Sequence, residues 1–265
     1  MRPDKESGNI LNKYIELAKK LGKFPTRTEF EPIVSERQYR KHFKTLTNLK
    51  NLVLKNCPEF GGLPEIVKTP KILIFDIETA PILAHVWGLF DQNVGLNQIE
   101  TDWHVLSWSA KWLGDPPSKV MYQDQRNAKD VTNDKKILES IRDLLDEADL
   151  VVTQNGIKFD SKKLNARFLF HEIPSPSSYR HRDTLRMAKR HFNFTSYKLE
   201  YMTDKFCKKY KKLKHKKFPG HELWKECLKG NKEAWNEMSK YNKHDVLATE
   251  ELYNVLKQWD FRKYS

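Results

Sequence analysis

The spacing of hydrophobic residues divides the chain into a helical N-terminal part and a longer part in which strands and helices alternate. In the first part, apolar residues recur every three or four positions, which is typical of short amphipathic helices. The first helix is predicted to begin at a cap formed by Ser7–Asn9 and to end at Gly22. We therefore predict a small all-α domain over residues 1–57 and, from its Gly and Pro content, a linker over residues 58–70.

Short apolar runs and amphipathic helices alternate from residue 71 onward. Ile72–Phe75 and Leu150–Val152 are the runs expected of central strands that are covered on both faces. Two segments of alternating pattern, His104–Trp112 and Lys119–Tyr122, flank a Gly-Asp-Pro-Pro turn and are predicted to pair antiparallel. Helices are predicted near residues 131–146, 161–170 and 232–258. The pattern predicts an α/β domain over residues 71–265, with a mixed sheet of about five strands and helices on its faces.

Composition favours a folded protein that binds a polyanion. Hydrophobic residues make up 38% of the 265 positions, which is enough for a packed core. Lys and Arg number 48 against 35 Asp and Glu, so the formal net charge is +13, which points to nucleic acid or an anionic membrane face. Because no apolar run approaches the roughly 18 residues of a membrane span and the N-terminus lacks the pattern of a signal peptide, no membrane segment is predicted. The three cysteines have no paired spacing, which favours a reducing cytoplasm.

Acidic residues follow two of the predicted central strands. Asp76 and Glu78 close the first strand and share a face, because residues i and i+2 of a strand point the same way. Asp160 follows the second strand, and the carboxyl ends of adjacent parallel strands meet at one sheet edge, where ligands bind. Carboxylates so placed suit hard divalent cations. The alternatives are a solvated strand end for the first pair and a helix cap for Asp160.

The last predicted helix carries a tyrosine and an aspartate on one face. Tyr241 and Asp245 are four residues apart, and Ala248 and Leu252 continue the same stripe into the core. An acid among core positions is costly unless a cation or another partner compensates it. The alternative is a surface Asp beside a structural Tyr. His244 lies off this face and is expected to be a bystander rather than a base.

Together these motifs form an ordered set: Asp-x-Glu ending a strand, Asn-x-x-x-Phe-Asp after a later strand, and Tyr-x-x-x-Asp in a C-terminal helix. The set resembles the DnaQ-like DEDD 3′–5′ exonucleases over roughly residues 71–259. It resembles their tyrosine-type branch, DEDDy, because the position of the histidine in the other branch is Lys240 here. The residues of these motifs are most similar to those in the proofreading domains of family B DNA polymerases, and they also resemble those of stand-alone phage exonucleases.

The resemblance implies a ribonuclease H-like fold and hydrolysis of phosphodiester bonds with two metal ions. The implied ligands of two Mg²⁺ or Mn²⁺ ions are Asp76, Glu78, Asp160 and Asp245. Tyr241 is expected to orient the attacking water, because a phenol with an ordinary pKa near 10 is a poor base at neutral pH.

The same resemblance implies residues that hold the substrate. Asn155 and the backbone around Ile77 and Thr79 are expected to contact the terminal nucleotide. Phe159 is expected in the core rather than as a platform for a base, and Asp183 is expected to cap a helix rather than to act as a fifth acid.

Two basic segments are candidates for contact with nucleic acid. Residues 205–217 carry eight lysines and no acid, which predicts either a phosphate-binding wall or an ordinary solvated surface. The lysines predicted to take part are Lys208, Lys209, Lys211 and Lys212. The N-terminal domain resembles the helix-turn-helix-like repeat found beside homing endonucleases, through Ala18–Thr26 and Tyr39–Phe43. In that case Arg37, Arg40 and Lys41 would contact duplex DNA. The alternative is a small helical appendage that packs on the catalytic domain.

The expected function is that of a metal-dependent 3′–5′ exonuclease acting on single-stranded DNA or 3′ ends, in the cytoplasm of a bacterium or of a phage-infected cell. Two alternatives stay open. One is an RNA exonuclease or a structure-specific nuclease of the same fold, because no residue identifies a contact to a 2′-hydroxyl group. The other is a DNA-binding protein without catalysis.

Overall fold

The computed structural model describes residues 5–57, 59–60, 70–213 and 217–260 of the chain. These residues belong to two compact units, Met1–Thr69 and Pro70–Ser265. Most of the linker predicted over residues 58–70 lies outside the described residues, as do three positions of the lysine-rich segment, residues 214–216.

The N-terminal unit is built from helices. They are α1 (Lys5–Leu21), α2 (Arg27–Phe30), α3 (Glu36–Phe43) and α4 (Leu46–Asn56). The first helix begins earlier than predicted, so Ser7–Asn9 lies within α1 instead of capping it, and Glu6 stands in its first turn, where an acid is favourable. Tyr14 and Phe30 form the centre of the core, with their rings in edge-to-face contact at 5.1 Å between centroids.

The second unit contains the strands and the remaining helices. The strands are β1 (Ile72–Thr79), β2 (Leu83–Ala84), β3 (Ile99–Thr101), β4 (Val105–Trp112), β5 (Met121–Asp124), β6 (Leu150–Thr153) and β7 (Arg180–Asp183). The helices are α5 (Lys135–Glu147), α6 (Asp160–Phe170), α7 (Thr184–His191), α8 (Leu199–Phe206), α9 (Glu222–Leu228) and α10 (Lys232–Leu256). In the part of the chain that the structure describes, no helix has the length and apolar character needed to cross a membrane.

A mixed five-stranded sheet in the order β5-β4-β1-β6-β7 forms the centre of this unit, which confirms the predicted fold class. β4 pairs antiparallel with both β1 and β5, as expected for β4 and β5 from the turn between them. β6 is parallel to β1, and β7 is parallel to β6. β7 has the sequence Arg-His-Arg-Asp, so it carries no apolar pattern by which a strand could be predicted. A separate two-stranded sheet consists of β2 and β3.

The two faces of β1 have different neighbours. Leu73, Phe75 and Ile77 pack in the cluster that contains the apolar residues of α5 and α6. Ile74 points the other way and packs in the cluster that contains residues of α7, α8 and α10. Because side chains alternate along a strand, Asp76 shares the face of Ile74, and the carboxylates of β1 are therefore directed to the side of the sheet on which α10 lies.

A buried ion pair between Asp134 and Arg167 connects α5, α6 and β4. Asp134, at the N-terminus of α5, is fully buried, and Arg167 of α6 binds its two carboxylate oxygens in a forked arrangement with distances of 2.6 and 2.9 Å. The same carboxylate accepts a hydrogen bond of 2.7 Å from the backbone N–H of Val105, at the start of β4. His171 also contacts it, at 2.7 Å. This network fixes α5 and α6 relative to β4.

We expect Arg167→Met to lower the free energy of unfolding of the second unit by about 3 kcal/mol or more, because Asp134 would keep its buried charge without the guanidinium. Urea denaturation followed by circular dichroism measures the change. Arg142→Met is the matched control: Arg142 forms partly exposed pairs on α5, which contribute less than about 1 kcal/mol. Equal losses for the two variants would contradict the importance of the buried pair.

Candidate active site

Four carboxylates from three distant segments meet at the end of β1. Asp76 and Glu78 come from β1 itself and are half-buried. Asp160 is the first residue of α6 and Asp245 lies in the middle of α10, and each is only 3% exposed. The four groups interact strongly enough that the other three acids all contribute to raising the pKa of Asp76. The sequence motifs that were predicted to converge therefore do so.

Two of these acids are held by groups that link the segments to one another. The side-chain amide of Asn242, in α10, donates a 2.7 Å hydrogen bond to Oδ2 of Asp76, and its own oxygen accepts a 3.4 Å hydrogen bond from Ser107 of β4. The backbone N–H of Ile77 donates to Oδ1 of Asp160 at 3.1 Å. Asn242 is completely buried, so its orientation is set by the packing of α10 against the sheet.

The other two acids are contacted by residues that precede α10. The indole N–H of Trp224, in α9, donates a 3.1 Å hydrogen bond to Oε2 of Glu78. The ammonium group of Lys212 lies 3.0 Å from Oδ2 of Asp245 and 5.0 Å from the centre of the Tyr241 ring. Oδ1 of Asp245 is buried and has no hydrogen-bond partner among the described residues.

Burial is the main cause that raises the pKa values of all four acids. It raises the pKa of Glu78 to about 8, with a further contribution from the charge of Asp245. It raises the pKa of Asp160 to about 7, although the backbone N–H of Ile77 opposes the change. The pKa of Asp245 is also raised by burial, against the opposing effect of Lys212. The cluster therefore holds negative charge at neutral pH only at a cost in free energy, which cations would offset.

Tyr241 stands one helical turn before Asp245 and is buried. Burial, and then the charge of Asp245, raise the pKa of its phenol, so the hydroxyl stays protonated at neutral pH. The ring of Trp224 approaches it edge-on, with 6.5 Å between centroids. Tyr241 thus keeps its hydroxyl as a hydrogen-bond donor next to the acids.

The turn that leads into Asp160 is organised by Asp183. Asn155 has a positive φ of 64°, and its backbone N–H donates a 2.9 Å hydrogen bond to the Asp183 carboxylate, which also accepts from Ile157 at 3.3 Å. The same carboxylate caps α7 by accepting from the N–H of Leu185 at 3.0 Å. Gly156 lies so close to Thr153 that a Cβ atom would overlap its side chain. Asp183 therefore caps a helix, as expected, and also holds the turn before Asp160.

An aromatic cavity of about 680 Å³ opens beside the acids. Its lining includes Trp103, Phe159, Lys163 and Trp224, together with Glu78 and Tyr241. The ammonium group of Lys163 lies 3.6 Å from the centre of the Trp103 ring. Phe159 is 40% exposed in this cavity, so the expectation that it belongs to the core is wrong: the turn before α6 directs its ring outward.

The residues predicted to hold a substrate have different surroundings. Thr79 lines the cavity, whereas the side chain of Ile77 is buried and its N–H is bound to Asp160. The lining residues among the described part of the chain do not include Asn155, whose N–H is bound to Asp183. Lys212, predicted to contact nucleic acid, forms an ion pair with Asp245.

Three further predicted lysines lie near Lys212. Lys208 and Lys209 have exposed side chains, and Lys211 forms an exposed ion pair of 2.9 Å with Asp204.

Sequence reasoning missed Asn242 and Trp224 as partners of the acids. Neither belongs to a motif of its own, and the only signal for Asn242 was its position next to Tyr241.

The chemistry of this donor set fits hard divalent cations. Carboxylate oxygens are the ligands that Mg²⁺ and Mn²⁺ prefer, and the unpaired buried oxygen of Asp245 is available to one. As the side chains stand, no three His, Cys, Asp or Glu residues of the described chain converge on a single point to hold an ion.

The family comparison covers the part of the chain from the last residue of β4 to the residue after α10. The family model of the RNase_H superfamily matches residues 112–257, which is more than half of the chain. The chain belongs to the RNase_H superfamily. The matched region includes Asp160, Tyr241 and Asp245, and Asp76 and Glu78 lie before it.

One solved structure of similar fold is the family B DNA polymerase from the hyperthermophilic archaeon Pyrobaculum calidifontis. The two chains superpose with a TM-score of 0.51 at 15% sequence identity, over 74% of this chain and 25% of the polymerase chain. The protein thus spans about a quarter of the length of that polymerase, and the similarity concerns the fold alone. No curated protein sequence matches this one.

We expect the metal-free protein to lose thermal stability as the pH rises from 4.5 towards about 8, because folded Glu78 has a pKa of about 8 against an ordinary value of 4.5. The folded state binds the proton of Glu78 more tightly than the unfolded state does. The stability that this proton contributes is therefore fully present below pH 4.5 and is lost as the pH rises past about 8. Glu78→Gln keeps an acceptor for Trp224 without the charge. The melting temperature of this variant should therefore fall less than that of the wild type between pH 4.5 and about 8.

The measurement is the melting temperature in buffers that contain EDTA, at several pH values. Glu139→Gln, which removes an exposed glutamate of α5, is the control and should follow the wild type. Parallel pH profiles for the wild type and Glu78→Gln would show that Glu78 does not titrate in the way proposed.

Proposed function

We propose that this protein is a metal-dependent 3′–5′ exonuclease of the tyrosine-type DEDD group. The observation that carries the proposal is the convergence of Asp76, Glu78, Asp160 and Asp245 on the end of β1, with the buried Tyr241 beside them. Membership of the RNase_H superfamily supports the hydrolysis of nucleic acid. The direction of digestion and the preference for DNA are inferred from the resemblance of the motifs.

Each part of the site has a role in this reaction. Asp76, Glu78, Asp160 and Asp245 would hold two divalent ions, which when bound supply activation of water and stabilisation of the leaving oxygen. The protonated hydroxyl of Tyr241 orients the attacking water by a hydrogen bond, because its raised pKa excludes it as a base near neutral pH. Asn242 and Trp224 keep the carboxylates of β1 in their orientation.

The aromatic cavity beside the acids receives the terminal nucleoside of the substrate. Its rings, above all Trp103 and the exposed Phe159, offer flat apolar surfaces on which a base stacks without regard to sequence. Lys163, at the wall of the cavity, supplies a positive charge for a phosphate group. An unpaired 3′ end enters such a cavity more easily than a base within a duplex, which favours single-stranded DNA or frayed ends.

The N-terminal unit is proposed to bind duplex DNA through α3. Arg37 and Arg40 are exposed on this helix, which supports contact with phosphates or base edges. Arg40 also forms a 2.7 Å ion pair with Glu36, and Lys41 forms one of 3.0 Å with Glu6. Of the three residues, Arg37 is therefore the strongest candidate for direct contact with DNA.

We expect Asp76→Ala to lower the rate of 3′-end digestion by more than about a hundredfold, because a ligand of the metal ions is lost. Tyr241→Phe should lower it by about a hundredfold through misplacement of the attacking water, while leaving Mn²⁺ binding intact. The assay follows product lengths from a 5′-labelled single-stranded DNA with Mg²⁺ or Mn²⁺. Asp143→Ala, which removes an acid that is 73% exposed on α5, is the control.

Intact substrate with both Mg²⁺ and Mn²⁺ would remove the exonuclease proposal, and retained DNA binding without turnover would favour a non-catalytic protein. Ribose and deoxyribose oligonucleotides of one sequence, digested side by side, separate a DNA exonuclease from an RNA exonuclease. Labelling the 5′ end and the 3′ end in separate reactions determines the direction of digestion.

Arg37→Ala/Arg40→Ala is expected to weaken binding to duplex DNA and to reduce the slope of log K against log salt by up to about 0.9 for each lost phosphate contact. Fluorescence anisotropy in EDTA measures this without digestion. The charge-matched control is Lys19→Ala/Lys20→Ala, on the exposed side of α1. Equal slopes for the two double variants would mean that α3 is not the DNA-binding helix.

A further inference from the structure

A short segment after α8 carries a lysine into the acid cluster. We call residues 208–213 the basic strap. Its Lys212 forms an ion pair of 3.0 Å with Asp245. The side chain of the lysine is 29% exposed and that of the aspartate is 5% exposed. Burial lowers the pKa of Lys212, but the charge of Asp245 outweighs this effect and the pKa is raised. The ammonium group is therefore charged and sits at the edge of the cluster.

The basic strap is held in this place by its backbone. The carboxylate of Glu251, six residues after Asp245 in α10, accepts hydrogen bonds from the N–H groups of Lys208 at 2.7 Å and Tyr210 at 2.8 Å, and from that of Lys209 at 3.1 Å. The N–H of Lys212 donates to Oγ1 of Thr203 at 3.1 Å. So many anchors show that the presentation of Lys212 to Asp245 is built into the fold.

An ammonium group and a divalent ion compete for the same carboxylate. Two cations that share one partner repel at a few ångströms, and this repulsion is strong where the surroundings are buried. In the metal-free protein, Lys212 compensates part of the charge that burial makes costly. A divalent ion that uses both oxygens of Asp245 has to displace it.

We propose that Lys212 is the cation of the site in the metal-free protein, that Glu251 is the positioning residue that presents it, and that divalent ions bind by displacing its ammonium group from Asp245. This role differs from a phosphate contact on an open surface, and it rests on the proposed metal-dependent function for the nature of the ligand. It also gives Glu251, which belongs to none of the motifs, a defined task.

Isothermal titration of the full-length protein with MnCl₂ tests the proposal. Lys212→Met should bind Mn²⁺ about fivefold more tightly or better, the lower end of the usual range for coupled sites. In EDTA its melting temperature should be lower than that of the wild type, and Mn²⁺ should raise it by more. Lys205→Met is the control: it removes the same charge from the end of α8, where Lys205 is 55% exposed, and should bind Mn²⁺ as the wild type does.

Glu251→Gln provides a second test, which does not depend on the folding of Lys212→Met. It loosens the basic strap while leaving Lys212 in the chain, so Mn²⁺ affinity should rise, by less than in Lys212→Met. If the wild type binds Mn²⁺ and neither variant binds it more tightly than Lys205→Met, displacement is overturned while the metal-dependent function stands. If none of the proteins binds Mn²⁺, both are overturned.

Discussion

Four carboxylates, two buried and two half-buried, lie in one cluster at the end of β1, and this is the constraint that the rest of the site has to satisfy. Burial and mutual repulsion both favour the protonated forms, so each acid needs a donor or a cation close by. The donors come from four different places in the chain: Asn242, Trp224, the N–H of Ile77, and Lys212. Divalent cations bound there would offset a cost in free energy that the fold has already imposed.

Because side chains alternate along β1, one face of the strand packs in the core and the other carries acids of the candidate active site. Leu73, Phe75 and Ile77 lie in the core with α5 and α6, while Asp76 and Glu78 point towards α10. α10 has the matching arrangement, because Tyr241, Asn242 and Asp245 face the sheet with the apolar residues that hold the helix there. The core that keeps α10 on the sheet therefore also sets the distances within the acid cluster.

The assignment of the fold and the proposal of an activity rest on different observations in this protein. The RNase_H superfamily is established by the family match, and that fold alone does not select an activity. The proposed exonuclease function depends on particular residues: the acids, a protonated tyrosine and an aromatic cavity at one edge of the sheet. The basic strap connects the strongly positive composition of the chain with this acidic site, since its Lys212 forms an ion pair with Asp245.

The sequence by itself determined the fold class, the central strands and the acids that converge, because hydrophobic periodicity and strand alternation are local properties of the chain. It also indicated Tyr241, through its spacing from Asp245. Only the tertiary structure decided the rest: β7 is a strand because β6 pairs with it, although its own residues are polar, and Phe159 is exposed because a turn directs it outward. The partners of the acids, among them Asn242 and Lys212, were equally hidden. They are contacts between segments 30 to 170 residues apart, and such contacts leave no periodic trace in the sequence.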